Sequence, residues 1–307
     1  MLIRRILSTA ILFIGAVLGS ATFTAPANAA DYTKTPNQLV EFGGVRYAYR
    51  TIGERGNNPP LLLFQHFTGT MDDWDRRTIE GLSKGRQVII FDNAGIGASG
   101  GKSPDNVADM AKIGEGLIEA LSLKQVDVLG YSLGGCIVQQ ILADRPELIR
   151  KAIIVGSGPQ GSPGLKVLPE VIAAGMKKST ETGRPLRAVL FYTDTEAGKA
   201  EGAEYLQNIN NHSVDAEEPA SKETTGAQAK AIVTWGSMPN NYTQLGRITQ
   251  PVLIVNGSND IIAPTLESVV LFQHIPNAQL SLYPDSGHGS LFQHHALFVS
   301  QVDTFLN

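Results

Sequence analysis

One stretch constrains the fold of this 307-residue chain more than any other: Val126-Asp127-Val128-Leu129 leads into Gly130-Tyr131-Ser132-Leu133-Gly134-Gly135. The run from Val126 to Leu129 suits a buried strand, whereas Ile137, Val138, Ile141 and Leu142 recur at helical spacing. Between them lies Gly130-x-Ser132-x-Gly134, the nucleophile-elbow pattern, a sharp strand-to-helix turn that strains the serine backbone and uses glycines to admit neighbouring chain. A bare G-x-S-x-G also arises by chance. Here the strand before it and the helix after it make the elbow the better reading, with Ser132 Oγ displayed at the mouth of a sheet.

The flanking sequence supplies that sheet. Gln38 to Phe42 and Val45 to Thr51 alternate around Gly43-Gly44 as a hairpin. Leu61–Phe64, Gln87–Phe91 and Ala152–Val155 are apolar runs fit for strands buried on both faces. Ile79 to Leu82 and Val107 to Leu121 read as helices between them, and strands alternating with helices imply a mostly parallel sheet. The rhythm then breaks. From Gly156 to Gly246 there are helical runs at 168–178, 186–192, 200–209 and 227–235 but no convincing strand. Pro251–Val255 and Gln279–Tyr283 resume the strands, and Leu291 to Leu306 reads as one closing helix. The expected class is α/β, with a mostly parallel central sheet flanked by helices: a core of residues 30–155 and 247–307 and an inserted helical lid at 156–246.

Residues 1–29 carry Arg4-Arg5, an apolar segment from Ile6 to Leu18 and Ala27-Asn28-Ala29, the parts of a cleaved signal peptide. The apolar segment is short for a membrane span, so an exported, periplasmic or secreted product without stable membrane insertion is expected. Removing that leader takes away two arginines and no acid, moving the formal charge from −4 to −6, and such a surface does not seek nucleic acid. The one cysteine, Cys136, has no partner for an internal disulfide and reads as a small buried hydrophobe.

A serine hydroxyl needs a base within reach, and the base an orienting acid. Of the six histidines, His288 sits in Pro284-Asp285-Ser286-Gly287-His288-Gly289, directly after the last strand, where a loop reaches over the sheet's carboxyl end. His294 and His295 fall inside the closing helix, and His212 and His274 lie on or near other helices. The acid is expected after a neighbouring strand, which selects Asp260; the rival, Asp285, is three residues from His288 and better suited to shaping its own loop. The catalytic candidates are therefore Ser132, Asp260 and His288. Backbone N–H groups must hold the developing oxyanion, and the first is that of Leu133.

The order serine, acid, histidine resembles that of the α/β-hydrolases, in particular the small esterases, the perhydrolases (cofactor-free haloperoxidases) and aminoacrylate-hydrolase-like members. Asp92-Asn93-Ala94-Gly95-Ile96-Gly97-Ala98-Ser99 is similar to that group's Asp-x-Arg-Gly-x-Gly-x-Ser loop, with Ala94 in place of the arginine. The resemblance implies a second oxyanion donor after Leu61–Phe64, where members carry His-Gly-x. Alignment through Trp74 puts Gln65-His66 on that pair and makes Phe67 the donor, with Thr68 the alternative one residue on. Trp74, Tyr131 and Trp235 are candidate pocket residues, with Leu168, Met176, Phe191 and Tyr192 from the lid as further possibilities.

The rivals are weaker. Gly95 to Gly100 fits G-x-G-x-x-G, but Gly101-Lys102-Ser103-Pro104 follows where a helix should open, so no dinucleotide site is expected. Ligand spacing suggests neither metal nor another cofactor. The expected activity is hydrolysis of a small ester or related acyl substrate through an acyl-enzyme. Perhydrolysis, lactone opening and C–C cleavage are variants on the same residues, and a slow, receptor-like binder of small molecules is the non-enzymatic alternative.

Overall fold

The computed structural model describes residues 32–209 and 214–307, so the expected signal segment and His212 lie outside the described residues. In chain order the elements are β1 (Gln38–Phe42), β2 (Val45–Ile52), β3 (Leu61–Phe64), α1 (Arg76–Leu82), β4 (Val88–Phe91), α2 (Val107–Ala120), β5 (Val126–Tyr131), α3 (Leu133–Asp144) and β6 (Ile149–Val155). Then come α4 (Pro163–Lys166), α5 (Leu168–Thr182), α6 (Leu186–Phe191), α7 (Glu196–Ile209), α8 (Lys222–Ser237) and α9 (Tyr242–Leu245). The chain closes with β7 (Val252–Gly257), α10 (Thr265–His274), β8 (Ala278–Tyr283), α11 (Ser290–Gln293) and α12 (His295–Leu306).

The eight strands form one sheet in the order β1-β2-β4-β3-β5-β6-β7-β8. The hairpin β1–β2 is antiparallel and β2 pairs antiparallel with β4; all later pairings are parallel. Every residue of β3, β4, β5 and β7 is buried, as expected of strands covered by helices on both faces. Asp127 is a fully buried charge inside β5, and the Arg150 guanidinium on β6 clamps it through Nε at 2.9 Å and Nη2 at 2.5 Å. β6 starts at Ile149, three residues before the apolar run begins: Arg150 also donates to the Leu306 carbonyl and Lys151 Nζ to the Phe305 carbonyl, so both polar ends are satisfied while their backbone is in the sheet.

Two expectations need adjustment. The closing helix is two helices, because His294 leaves helical geometry (φ −107°, ψ 37°) with its Nε2 3.0 Å from the Pro284 carbonyl. Asp285 (φ +44°) accepts from the Thr193 and Thr195 hydroxyls at 2.9 and 2.8 Å, tying the loop before His288 to the segment between α6 and α7. Between β6 and β7 the described residues hold helices α4 to α9 and no strand. Among the described residues no helix is long and apolar enough to cross a membrane.

Candidate active site

Ser132 follows β5 and precedes α3 with φ +57° and ψ −115°, a sparsely populated conformation costing on the order of 1–3 kcal/mol for a non-glycine residue. The surroundings hold it there: its N–H donates to the Val155 carbonyl at 2.8 Å, and Gly135 N–H donates to its own carbonyl at 2.9 Å. The flanking glycines are required by close backbone approach. A Cβ on Gly130 would lie 2.3 Å from Gly134 O, and one on Gly134 would lie 2.1 Å from Phe64 O.

Asp260 leaves the carboxyl end of β7 two strands away. Its Oδ1 accepts backbone N–H bonds from Ile262 at 2.8 Å and Ala263 at 3.0 Å, which fixes the carboxylate. Its Oδ2 stands 2.8 Å from His288 Nδ1, with both residues buried. Placing the imidazole proton on Nδ1 leaves the Nε2 lone pair free to act as a base. The His288 backbone is equally restrained: Tyr131 Oη donates to its carbonyl at 3.1 Å, and Gly289 N–H donates to Phe191 O at 2.8 Å. The Tyr131 and Phe191 rings pack on the imidazole at centroid distances of 5.1 and 5.3 Å. Ser132 and His288 line one cavity. No hydrogen bond joins them among the described residues, and such contacts commonly tighten only with substrate bound.

Leu133 is the first residue of α3, so its N–H has no partner within the helix. In the turn after β3 the other amides are taken: His66 N–H by Gln65 Oε1, Thr68 N–H by Gln228 Oε1, Gly69 N–H by His66 O and Thr70 N–H by Asp73 Oδ2, at 2.7–3.1 Å. Phe67 N–H is left without a partner among the described residues. Thr68, the alternative donor, is engaged elsewhere.

The cavity has a volume of about 750 Å³. One wall is apolar, with Leu165, Leu168, Ile172, Leu190 and Ile232 from the inserted helices; the other end carries Asp72, Asp73, Arg187 and Glu217. His66 also lines it, with Nδ1 2.8 Å from Phe67 O. Burial, helped by the nearby Arg187 charge, lowers the His66 pKa to about 3 and leaves the ring neutral. Arg187 pairs with Asp73 in this wall; burial disfavours its charge, but Asp73 and the Tyr205 and Tyr131 phenols outweigh that cost and hold its pKa above the ordinary value. Burial pushes the Cys136 thiol up to about 12, which removes it as a nucleophile.

Three candidate pocket residues are displaced from the cavity wall. Trp74 is fully buried, 6.2 Å from the Tyr131 and Phe292 ring centroids; Tyr131 sits behind His288; Trp235 turns inward and donates Nε1–H to Gly158 O at 3.1 Å. Their large rings fill the core under the site instead of facing the cavity. Of the lid possibilities, Leu168 and Phe191 line the cavity, Tyr192 is buried away from it, and Met176 is 57% exposed. Arg187 and Gln228 escaped the sequence reading. Arg187 did leave a signal, a lone charge in the apolar run Leu186-Arg187-Ala188-Val189-Leu190-Phe191; Gln228 left none.

The fold is that of a hydrolase class, and comparison with known proteins shows it. The chain belongs to the alpha/beta hydrolase fold family, whose model matches residues 59–295, and is an enzyme of that class. An alpha/beta hydrolase fold protein from Chitinophaga pinensis superposes with a TM-score of 0.85 at 44% identity, covering 90% of this chain and 99% of its own. A proline iminopeptidase of Lactobacillus delbrueckii subsp. lactis is 28% identical over 88% of this chain and 97% of its own length. A pimeloyl-[acyl-carrier protein] methyl ester esterase of Nitrosomonas europaea is 27% identical over 82% and 97%.

Proposed function

We propose that this chain is a serine hydrolase of small esters or related acyl compounds, working through Ser132, His288 and Asp260. The observation that carries the reading is the Asp260–His288 contact of 2.8 Å, which leaves Nε2 as a base beside the cavity where Ser132 is displayed. His288 takes the Ser132 proton as Oγ attacks the carbonyl carbon, and the Leu133 and Phe67 N–H groups receive the oxyanion. His288 then returns the proton to the leaving group. Water, activated by the same imidazole, hydrolyses the acyl-enzyme. Segment 156–246 is the lid over this site, since α4, α5, α6 and α8 supply the apolar wall. On the same footing residues 1–29 are a cleaved export signal, tested by sequencing the N-terminus of the exported protein.

Esters are favoured over aminopeptidase substrates by the state of the acidic wall. An aminopeptidase must hold the substrate's ammonium group, yet each carboxylate here already has partners. Asp72 takes Arg50 Nη1 at 2.5 Å and Glu217 N–H at 2.7 Å, Asp73 takes Arg187 and Thr70 N–H, and Glu217 takes Ala98 N–H at 2.7 Å. The expected result is stoichiometric labelling by a fluorophosphonate, turnover of short-chain nitrophenyl esters, and little action on proline nitroanilide. Ser132→Ala should lose labelling and about 10⁶-fold in kcat while keeping its circular dichroism spectrum. A folded Ser132→Ala enzyme that still turns over ester rules the assignment out.

A further inference from the structure

We infer that Gln228, on helix α8 of the inserted segment, is a positioning residue for the oxyanion donor at Phe67. The inference rests on the serine-hydrolase reading above. The turn that presents Phe67 N–H is built almost wholly from within. Gln65 spans it, accepting from His66 N–H and donating Nε2–H to Thr70 O at 2.9 Å, and the Phe67 carbonyl is taken by His66 Nδ1 and by Thr68 Oγ1 at 2.7 Å. The next residue, Thr68, adopts φ +60°, a left-handed conformation that a β-branched residue resists. The bond that holds Thr68 in that state comes from outside: Gln228 Oε1 accepts its N–H at 2.7 Å. Without it the Thr68 amide has no acceptor within its own turn, and the Phe67–Thr68 peptide, adjacent to the one that carries Phe67 N–H, is free to rotate and to shift Phe67 with it.

Gln228 is itself fully buried, and its Nε2 has no hydrogen-bond partner among the described residues. A buried amide left half-satisfied calls for a reason beyond packing. The helix carrying it is tied down near both ends, to the core at Gly95 and to the chain just after β6 at Gly158. Thr224 Oγ1 donates to Gly95 O at 2.9 Å, and Trp235 Nε1 donates to Gly158 O at 3.1 Å. Thr225 and Ile232 of the same helix line the cavity, and the spacing of 225, 228 and 232 places all three on one face. The helix that meets the substrate therefore also sets the donor that receives its oxyanion.

The test compares wild type with Gln228→Leu, which keeps the volume and removes the acceptor, and Gln228→Glu, whose buried neutral acid keeps a carbonyl acceptor at the same reach. If leucine does not fold, Gln228→Met takes its place. With a short-chain nitrophenyl ester, the apolar variant should lose about 10–100-fold in kcat with KM within about threefold, the scale of a misplaced catalytic donor. Affinity for an alkyl boronic acid, whose adduct with Ser132 mimics the oxyanion, should fall by a similar factor, and Gln228→Glu should recover most of both. Unchanged kcat and boronate affinity in a folded apolar variant overturn the inference, as does an equal loss in Gln228→Glu. If wild-type labelling and boronate binding do not depend on Ser132, the serine-hydrolase reading fails and takes this inference with it.

Discussion

At the scale of single residues, Asp260 carries a sharp expectation. Its Oδ1 is committed to two backbone N–H donors, so in Asp260→Asn the retained carbonyl oxygen should stay there. The new Nδ2 would then face His288 Nδ1, donor against donor. The imidazole must move its proton to Nε2, which abolishes the base. Loss of about 10⁴-fold in kcat is expected, with the fold intact by circular dichroism. Ser132, Asp260 and His288 could be singled out as candidates from the chain because each sits in a loop directly after a strand-like run, and a parallel sheet gathers those loops at one end. The neutrality of His66 could not be read that way. It comes from burial and from Arg187, a residue 121 positions away that only packing brings near.

At the scale of elements, the elbow and helix α8 show opposite sensitivities to an added methyl group. In Gly134→Ala the new Cβ meets the Phe64 carbonyl, which belongs to a central strand and cannot yield. A loss of about 3 kcal/mol is expected. Gly226 in α8 is exposed, and a Cβ added there would meet nothing within 4 Å, so Gly226→Ala should gain about 0.5–1 kcal/mol. Urea midpoints read both. Strand and helix positions were largely legible because their hydrophobic periods are strong, while ends fixed by single polar contacts were not. Arg150 is accommodated at the start of β6, and His294 stands at the break in the closing helix, through bonds to partners distant in the chain or across a turn.

At the scale of the whole molecule, the segment after α7 is fastened to the core through buried charge. Arg50 binds Asp72 Oδ1 at 2.5 Å, the Asp215 carbonyl at 2.7 Å and Glu217 Oε1 at 3.3 Å, while the Glu217 and Asp92 carboxyls both face Ala98 N–H. Burial, reinforced by the Glu217 charge, holds the Asp92 carboxyl well above the ordinary carboxylate range. The folded state thus keeps a proton that the unfolded chain releases. The stabilisation from Asp92 is complete below its ordinary value and is lost as pH rises through the raised one. Asp92→Asn, whose amide can donate where the protonated acid does, should flatten that decline. Thermal melting from pH 4 to pH 9 checks it: an unchanged slope in the variant would assign the decline to other groups.

By itself the sequence determined the alternation of strands and helices, the serine on its glycine-flanked turn, and the acid and histidine that follow later strands. These are local properties, since period, turn chemistry and position after a strand are all written in neighbouring residues. Only the tertiary structure decided that Phe67 and not Thr68 has the open N–H, and that Trp74, Tyr131 and Trp235 support the site from behind. It also decided that Arg187 and Glu217 line the cavity and that Gln228 braces the turn beside it. Those facts depend on which side chain finds which partner far along the chain, and a buried hydrogen bond leaves no periodic trace in the chain that makes it.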